Sequence, residues 1–225
     1  MQLVMAYYNN PGMLAVHMAE WARYRHEIEV IVVDDGSASP PDMSECPLPY
    51  RLFRILEDRP WNQNGARNLG MWHASGTVLL TDMDHLLTAD ALDKLVATHW
   101  PRGTAWRPGR VWPDGTDRGK RHPNSYVLDR ADFWQAGGYN ERWCGYYGTD
   151  ATFRRQLAAH GVEVRDTNAF DLTLYEGHVD DAITHGLGRK GTEYHARMNP
   201  KLRRALMDTS RPKEWLQFPW EEITP

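Results

Sequence analysis

Two aspartates, Asp82 and Asp84, directly follow the apolar run 76–80, and together they could bind a metal ion. A short apolar run that begins with Gly predicts a buried strand. In open α/β sheets ligands bind beyond the carboxyl ends of the strands, so this strand would deliver both carboxylates to such a place. Carboxylate oxygens suit Mg²⁺ or Mn²⁺, ions that commonly hold a substrate's phosphates as well. Because many surface turns contain two aspartates, the pair predicts a metal site only in combination with other motifs.

Four further polar motifs accompany this pair. They are Ala6-Tyr7-Tyr8-Asn9, Asp34-Asp35-Gly36-Ser37, Asn64-Gly65-Ala66-Arg67-Asn68-Leu69-Gly70, and the stretch 145–155 around Asp150. Each one alone has a structural explanation: the acids of the second motif could cap a turn, and Asp150 could cap a helix. Together, strand-end acids at one edge of a parallel sheet predict a concave, cation-binding site large enough for a nucleotide.

The elements that would position these motifs alternate between strands and helices. Hydrophobic patterns predict strands over 3–7, 29–33, 50–56 and 76–80, and helices over 13–24, 64–74 and 89–99. This alternation predicts a parallel, doubly wound sheet. The segment 101–124 shows no sustained period. After it we expect strands over 125–128, 162–164 and 172–174, with helices over 131–136 and 150–160.

Composition narrows the class of protein. The chain has 225 residues, of which 41% are hydrophobic and 25% charged, as in a soluble globular domain. Two cysteines are too few for a disulfide framework or a cysteine zinc site. No apolar run is long enough to cross a membrane, and the amino terminus lacks the basic region of a signal peptide, so we expect a cytoplasmic location.

In the order and spacing of its five motifs, the chain resembles the GT-A glycosyltransferases, specifically the family-2-like group. The resemblance covers roughly residues 1 to 180 and implies an α/β GT-A fold with a mostly parallel central sheet flanked by helices. It implies a nucleotide-sugar-binding half over 1–100 and an acceptor half over 101–180. Residues 181–225 would then form a basic, aromatic extension that packs on this domain.

The resemblance also implies roles for individual residues. Ala6, Tyr8 and Asp35, with Asp34 close by, would contact the base and ribose of the donor, and Arg67 would face its phosphates. Asp82 and Asp84 match the family's Asp-x-Asp motif, which holds the metal, Mn²⁺ or Mg²⁺. Members often have Glu-Asp where this chain has Thr149-Asp150, which leaves the expected base, Asp150, in place. The acceptor side would include Trp143, Tyr147 and Thr149.

A histidine could complete the metal site. The resemblance points to His178 in Glu176-Gly177-His178-Val179, and His185 is the competing candidate. His85 is adjacent to Asp84 and less favoured, since alternation along an extended strand turns its side chain to the opposite face.

These groups suit transfer of a sugar from a nucleoside diphosphate, with a uridine diphosphate sugar as the expected donor, to an acceptor hydroxyl. The metal would stabilise the leaving diphosphate, and in-line attack with Asp150 as base would invert the anomeric centre. A nucleotidyltransferase is the first alternative, but the chain lacks a Gly-rich phosphate loop near its start. A non-catalytic nucleotide- or sugar-binding module is the second, although all the acids are present. A phosphoacceptor receiver domain is disfavoured, because it would carry its acids after the first strand, whereas Asp34 and Asp35 follow the second.

The acceptor and the oligomeric state stay open at this point. The net charge is −4, yet basic residues outnumber acidic ones in 102–130, where tryptophans are interleaved, and again in 189–213. Both stretches could be ordinary surface or could dock an anionic acceptor. A glycan, a lipid-linked sugar or a hydroxylated base in nucleic acid are therefore all candidate acceptors.

Overall fold

The fold is built on one mixed β-sheet that carries the candidate residues at one edge. It was obtained as a computed structural model that describes residues 1–144, 149–182, 200–201, 204 and 207–224, with the backbone alone at Thr149. In these residues the sheet has nine strands in the order β5-β8-β6-β7-β4-β1-β2-β3-β9. No helix among them is long and apolar enough to cross a membrane.

The elements alternate through the first half of the chain, as the apolar pattern predicts. The strands are β1 (Gln2–Tyr7), β2 (Glu29–Asp34), β3 (Tyr50–Ile55), β4 (Thr77–Asp82), β5 (His85–Leu86), β6 (Thr104–Val111), β7 (Tyr126–Asp129), β8 (Glu163–Leu174) and β9 (Trp220–Ile223). The helices are α1 (Pro11–Trp21), α2 (Gln63–His73), α3 (Ala89–Ala97), α4 (Arg130–Gln135) and α5 (Thr149–Ala159), with a short 3₁₀ turn at Glu141–Trp143.

Alternation along the buried strands creates two hydrophobic cores, one on each face of the sheet. Leu3 and Met5 of β1 pack with α1 and α3, whereas Val4 between them packs with α2, α4 and α5. Because consecutive side chains of a strand point to opposite faces, one continuous apolar run serves both layers. The predicted α/β architecture, a central sheet flanked by helices, is confirmed.

The second half of the sheet contains antiparallel pairings that the sequence pattern did not reveal. Strands β3, β2, β1 and β4 run parallel, and so do β6 and β8. Strand β7 joins the two groups by antiparallel pairing with β4 and β6. Strand β5 pairs antiparallel with β8, and β9 pairs antiparallel with β3. Strand β6 lies inside the segment that showed no period, and β8 is one strand where two short ones were expected.

Candidate active site

The ends of β1, β2 and β4 meet at one edge of the sheet. Ala6 on β1 is paired with Asp82 on β4 and with Val33 on β2, and Tyr7 is paired with Asp34. The parallel register thus places the carboxylates of two strands on either side of the end of β1. This is the convergence that the order of motifs predicts.

Arg67 is buried beneath this edge and forms an ion pair with Asp82. It lies on α2, is completely buried, and donates to Asp82 and to Gln63 Oε1, the latter at 3.0 Å. Its guanidinium also lies 5.3 Å from the centre of the Tyr139 ring. Burial alone would lower the pKa of Arg67, but the nearby carboxylate of Asp82 raises it above its ordinary value. The cation therefore stays charged beside the Asp82 side chain.

A second set of partners reaches Asp82 from the segment before β7. His122 Nε2 lies 3.5 Å from Asp82 Oδ2, and His122 Nδ1 lies 3.0 Å from the Ser125 hydroxyl. That hydroxyl is in turn 2.8 Å from the hydroxyl of Thr81. Burial lowers the pKa of His122 well below its usual range, so the ring is neutral. His122 gave no sequence signal, because the contact depends on how 112–125 folds back toward β4.

Asp84 is the more accessible of the two aspartates. Its side chain is 24% exposed, against 15% for Asp82, and one of its oxygens lies 2.6 Å from His85 Nδ1. Burial alone would raise the pKa of Asp84, but the imidazole of His85 outweighs this and lowers it. Asp84 is thus a carboxylate with oxygen atoms that solvent or a ligand can reach.

The donor chemistry of this pair fits a hard divalent cation. Mg²⁺ is usually bound through one or two carboxylates, with substrate phosphates and waters as the other ligands. Asp82 and Asp84 supply two such carboxylates. Within the described ranges, no three His, Cys, Asp or Glu side chains come together as a metal-binding group.

Of the two histidines considered as third metal ligands, His178 belongs to the residues that the structure describes. His178 is exposed, and its ring centre is 5.8 Å from that of Trp112. Its role as a third metal ligand stays a prediction, and His185 lies outside the described residues. His85, by contrast, is buried and in contact with Asp84.

Asp150 lies in the first turn of α5, close enough to Arg67 and Asp82 to feel both charges. Desolvation raises the pKa of Asp150, while the charge of Arg67 and a hydrogen bond from Asn124 oppose this shift only in part. Asn124 is buried and also lies 3.4 Å from the hydroxyl of Tyr139. A carboxylate with a raised pKa is a better proton acceptor near neutral pH. Asn124 is a further residue that sequence reasoning missed.

The candidates for base and ribose contact surround the end of β1. The Tyr8 hydroxyl donates to Asp58 at 3.2 Å. Asp35 N–H donates to the Tyr7 carbonyl, and Asp34 is buried, where it accepts from the Ser37 N–H at 2.9 Å. The turn after β2 requires Gly36, whose φ is 78° and where a Cβ would stand 2.7 Å from the Glu57 carbonyl.

Residues expected on the acceptor side fall in three situations. Trp143 ends the 3₁₀ turn and is partly buried. Thr149 is the first residue of α5, and Tyr147 lies outside the described residues. Their contact with an acceptor stays a prediction.

The basic segment 102–130 is partly neutralised by neighbouring acids. Arg107 binds Asp166 at 2.6 Å, and Arg121 lies 3.9 Å from Asp171. Both acids belong to β8, which pairs with β6. Arg102 lies similarly close to two acids, Asp129 and Asp132. These contacts explain part of the charge pattern without an anionic ligand.

An open cavity of about 520 Å³ lies beside the site, between α1 and the loop 38–42. Tyr7, Asn9 and Leu14 contribute to its walls. Asp82, Asp84 and Asp150 do not line it, so the cavity adjoins the acidic edge and does not contain it.

Comparison with known proteins gives a family match and a set of similar folds. The family model for glycosyl transferase family 2 matches residues 3–159. A search of the curated proteins found no match.

Solved structures of similar fold include three glycosyltransferases. S. aureus TarS 1-349 in complex with UDP-GlcNAc has 14% identity and a TM-score of 0.58, over 76% of this chain and 56% of that one. GalNAc-T7 with UDP, GalNAc and Mn²⁺ has 15% identity and a TM-score of 0.60, over 77% and 43%. The catalytic domain of Drosophila β1,4-galactosyltransferase 7 with xylobiose has 18% identity and a TM-score of 0.50, over 74% and 63%. The chain therefore spans less than two thirds of the length of each, and the shared property is the GT-A fold.

Proposed function

Because the chain belongs to glycosyl transferase family 2, we propose that it transfers a sugar from a nucleoside diphosphate sugar, a UDP-sugar, to an acceptor hydroxyl. The observation that carries the proposal is the grouping of two acids at the end of β4 with Asp150 at the start of α5, around the buried Arg67. The UDP-GlcNAc and the UDP with Mn²⁺ found in structures of similar fold support the choice of donor and metal.

The donor side is formed by the ends of β1, β2 and β4. Asp84, the more exposed aspartate, would hold Mn²⁺ or Mg²⁺, with Asp82 beside it held by Arg67 and His122. The bound cation would supply Lewis-acid stabilisation of the charge that develops on the diphosphate. Ala6, Tyr8 and Asp35 would contact the base and ribose, and Asp34 would hold the turn that carries Asp35 through its bond from the Ser37 N–H. Arg67 is too deeply buried to be a surface ligand, so it acts on the phosphates through its charge.

The acceptor side centres on Asp150. Its carboxylate takes the proton of the acceptor hydroxyl while the hydroxyl oxygen forms a bond to the anomeric carbon. The bond between that carbon and the phosphate oxygen breaks, and its electron pair leaves with the diphosphate. Since attack comes from the face opposite the leaving group, the configuration inverts. The raised pKa of Asp150 suits this role.

We take the acceptor to be a hydroxyl of a glycan. The structure of similar fold solved with xylobiose supports this class. The pairing of Arg107 and Arg121 with acids of β8 reduces the positive charge that a nucleic acid would need. A lipid-linked sugar or a nucleic acid would be the alternative outcome of an acceptor screen. In this arrangement residues 1–100 bind the donor and 101–180 the acceptor.

A thermal-shift screen of nucleoside diphosphates with and without Mn²⁺ tests the donor side. UDP should raise the melting temperature only with the metal, because binding to the folded state stabilises it. Donor hydrolysis should then show the same metal dependence, and NMR of the product should show inversion. Binding without any hydrolysis or transfer would identify a non-catalytic module. Retained configuration would refute the role of Asp150.

A further inference from the structure

Helix α1 is tied by polar side chains to the backbone that carries the two aspartates. His17, Glu20 and Tyr24 lie at or just beyond successive turns of this helix, on the side that faces residues 83–89. Each of them bonds a different backbone group there: His17 Nε2 the Met83 carbonyl, Glu20 the Ala89 N–H, and the Tyr24 hydroxyl the Leu87 carbonyl. Of the three partners, only Met83 lies between Asp82 and Asp84.

We propose that His17 is a positioning residue for the metal-binding turn, holding the Met83 carbonyl so that the flanking carboxylates keep their relative orientation. The contact is 2.8 Å long and both residues are buried. This inference rests on the proposed function, since it assumes that Asp82 and Asp84 bind the metal.

The chemistry of the contact fixes the state of the imidazole. A carbonyl oxygen can only accept, so Nε2 must carry the hydrogen. Nδ1 has no hydrogen-bond partner among the described residues. Burial lowers the pKa of His17 to about 4, which keeps the ring neutral at physiological pH. His17 is therefore a fixed, uncharged donor.

The turn itself explains why one carbonyl matters. Strand β4 ends at Asp82 and β5 begins at His85, so only Met83 and Asp84 connect them. On one side the pairing of Asp82 with Ala6 fixes the backbone, and on the other the Tyr175 N–H donates to the Asp84 carbonyl. The Met83 carbonyl is the remaining backbone acceptor of the turn, and its loss of a partner would let the peptide rotate. Rotation there moves both carboxylates.

The test compares His17→Leu and His17→Gln with a matched control, Tyr24→Phe. Leucine fills the space without a donor, and the glutamine amide can reach the same carbonyl. Tyr24→Phe removes a bond to Leu87 from the residues just beyond the same helix, away from the aspartates. The measurement is the Mn²⁺ dissociation constant in the presence of UDP, from the free Mn²⁺ signal in electron paramagnetic resonance, together with the melting temperature of each variant.

We expect His17→Leu to weaken Mn²⁺ binding by about 10-fold or more, as is usual when a residue that orients a metal ligand is lost. His17→Gln should recover most of the Mn²⁺ affinity. Tyr24→Phe should lower the melting temperature and leave the Mn²⁺ affinity unchanged. If His17→Leu does not fold, His17→Asn takes its place, since the shorter amide cannot reach the Met83 carbonyl; it should weaken Mn²⁺ binding, whereas His17→Gln and Tyr24→Phe should not.

Two outcomes would overturn the role of His17 while leaving the proposed function intact. Unchanged Mn²⁺ affinity in a folded His17→Leu protein would show that the bond serves stability alone. Equal weakening in Tyr24→Phe would show that any loosening of α1 has the same effect. If the unsubstituted protein bound no Mn²⁺ with UDP, the proposed function would fail first, and the role of His17 with it.

Discussion

At the scale of single residues, the raised pKa of Asp150 predicts the pH dependence of the reaction. A general base acts in its ionised form, so kcat/KM, which reports the pKa values of the free enzyme, falls as the pH falls through this pKa. Because desolvation raises the pKa of Asp150, the acid side of the profile should lie above the ordinary aspartate value of about 3.9. Asp150→Asn should lower kcat by about 100- to 10,000-fold while UDP binding with Mn²⁺ is unchanged.

Substitution of Asn124 tests the role of Asp150 as general base by changing the pKa of Asp150. Asn124 donates to Asp150 and thereby lowers its pKa, so Asn124→Ala should move the acid side of the kcat/KM profile to still higher pH. If the profile of Asn124→Ala stayed in place, or if Asp150→Asn kept near-normal turnover, another group would be the base.

Arg67 offers a second prediction at this scale, on stability. Removing one partner of a buried ion pair leaves the other without compensation, which typically destabilises by about 3–5 kcal/mol. Since Asp82 is 15% exposed, we expect Arg67→Met to fall at the lower end of that range. Urea unfolding measures it. The double variant Arg67→Met/Asp82→Asn should regain part of the loss, and additive losses would show that the pair is not coupled.

From hydrophobic patterning alone, the place of a candidate residue could be predicted only where it follows an apolar strand, whereas Arg67 and Asp150 were candidates through the resemblance to the GT-A glycosyltransferases. Asp34 and Asp82 were found because β2 and β4 are recognisable as buried strands whose carboxyl ends meet. His17 occupied a position in the apolar stripe of α1, and nothing in its spacing showed that its ring bonds the Met83 carbonyl. Asn124 lay in a stretch without a pattern. Contacts that cross from one element to another have no counterpart in local sequence.

At the scale of elements, the buried strands were predictable and the polar ones were not. Strand β6 contains Arg107, Pro108 and Gly109, and its pairing with β8 shifts at this point, so it shows no alternation. The first half of β8 is largely exposed, and Asp166 there pairs with Arg107. Such strands form because a neighbour supplies the hydrogen bonds and opposite charges. Their own residues resemble a loop.

The packing of α2 on β1 leads to a prediction about Gly70. A Cβ at this position would lie 2.5 Å from Val4 Cγ1, so α2 approaches the sheet more closely than an alanine allows. The close contact in Gly70→Ala should destabilise the fold by about 1–3 kcal/mol. The higher helix propensity of alanine should offset roughly 1 kcal/mol of this loss. Because α2 carries Arg67, donor binding should weaken as well.

A second substitution shows whether this contact is the cause. Val4→Ala removes the methyl group that the new Cβ would meet, so Gly70→Ala/Val4→Ala should be more stable than the sum of the single losses predicts. Thermal or urea unfolding of the four proteins gives the coupling. Strict additivity would place the strain of Gly70→Ala elsewhere.

At the scale of the whole molecule, residues near the carboxyl terminus form the edge of the sheet next to β3. Strand β9 pairs with β3, and Phe218 is buried so close to Gly65 that a Cβ there would lie 2.5 Å from the ring. Before it, the Trp215 indole donates to the Gly137 carbonyl at 2.7 Å, and the Leu216 N–H donates to Glu141 at 3.0 Å. Phe218 therefore packs against the first turn of α2 at Gly65, two residues before Arg67, whose side chain reaches Asp82.

Truncation after Glu214 should consequently destabilise the whole domain and weaken donor binding. Loss of the Phe218 side chain alone should cost about 3 kcal/mol, because large buried side chains leave a cavity when removed. Truncation should cost more, since it also leaves β3 as an open edge, which favours association between chains. Urea unfolding would measure the loss of stability, and light scattering would measure the association between chains. UDP binding with Mn²⁺ would measure the loss of donor affinity.

Glu222→Gln provides the control, because it alters β9 without removing it. Its ion pair with Arg51 at 2.8 Å is substantially exposed, and such pairs contribute about 1 kcal/mol or less. A small effect of Glu222→Gln beside a large effect of Phe218→Ala would show that the segment stabilises the domain by apolar packing. If the truncated protein unfolded at the same urea concentration and still bound UDP, β9 would be dispensable. The close approach of Phe218 to Gly65 makes the opposite result the expected one, since removing the ring uncovers the helix end that leads to the acidic edge of the sheet.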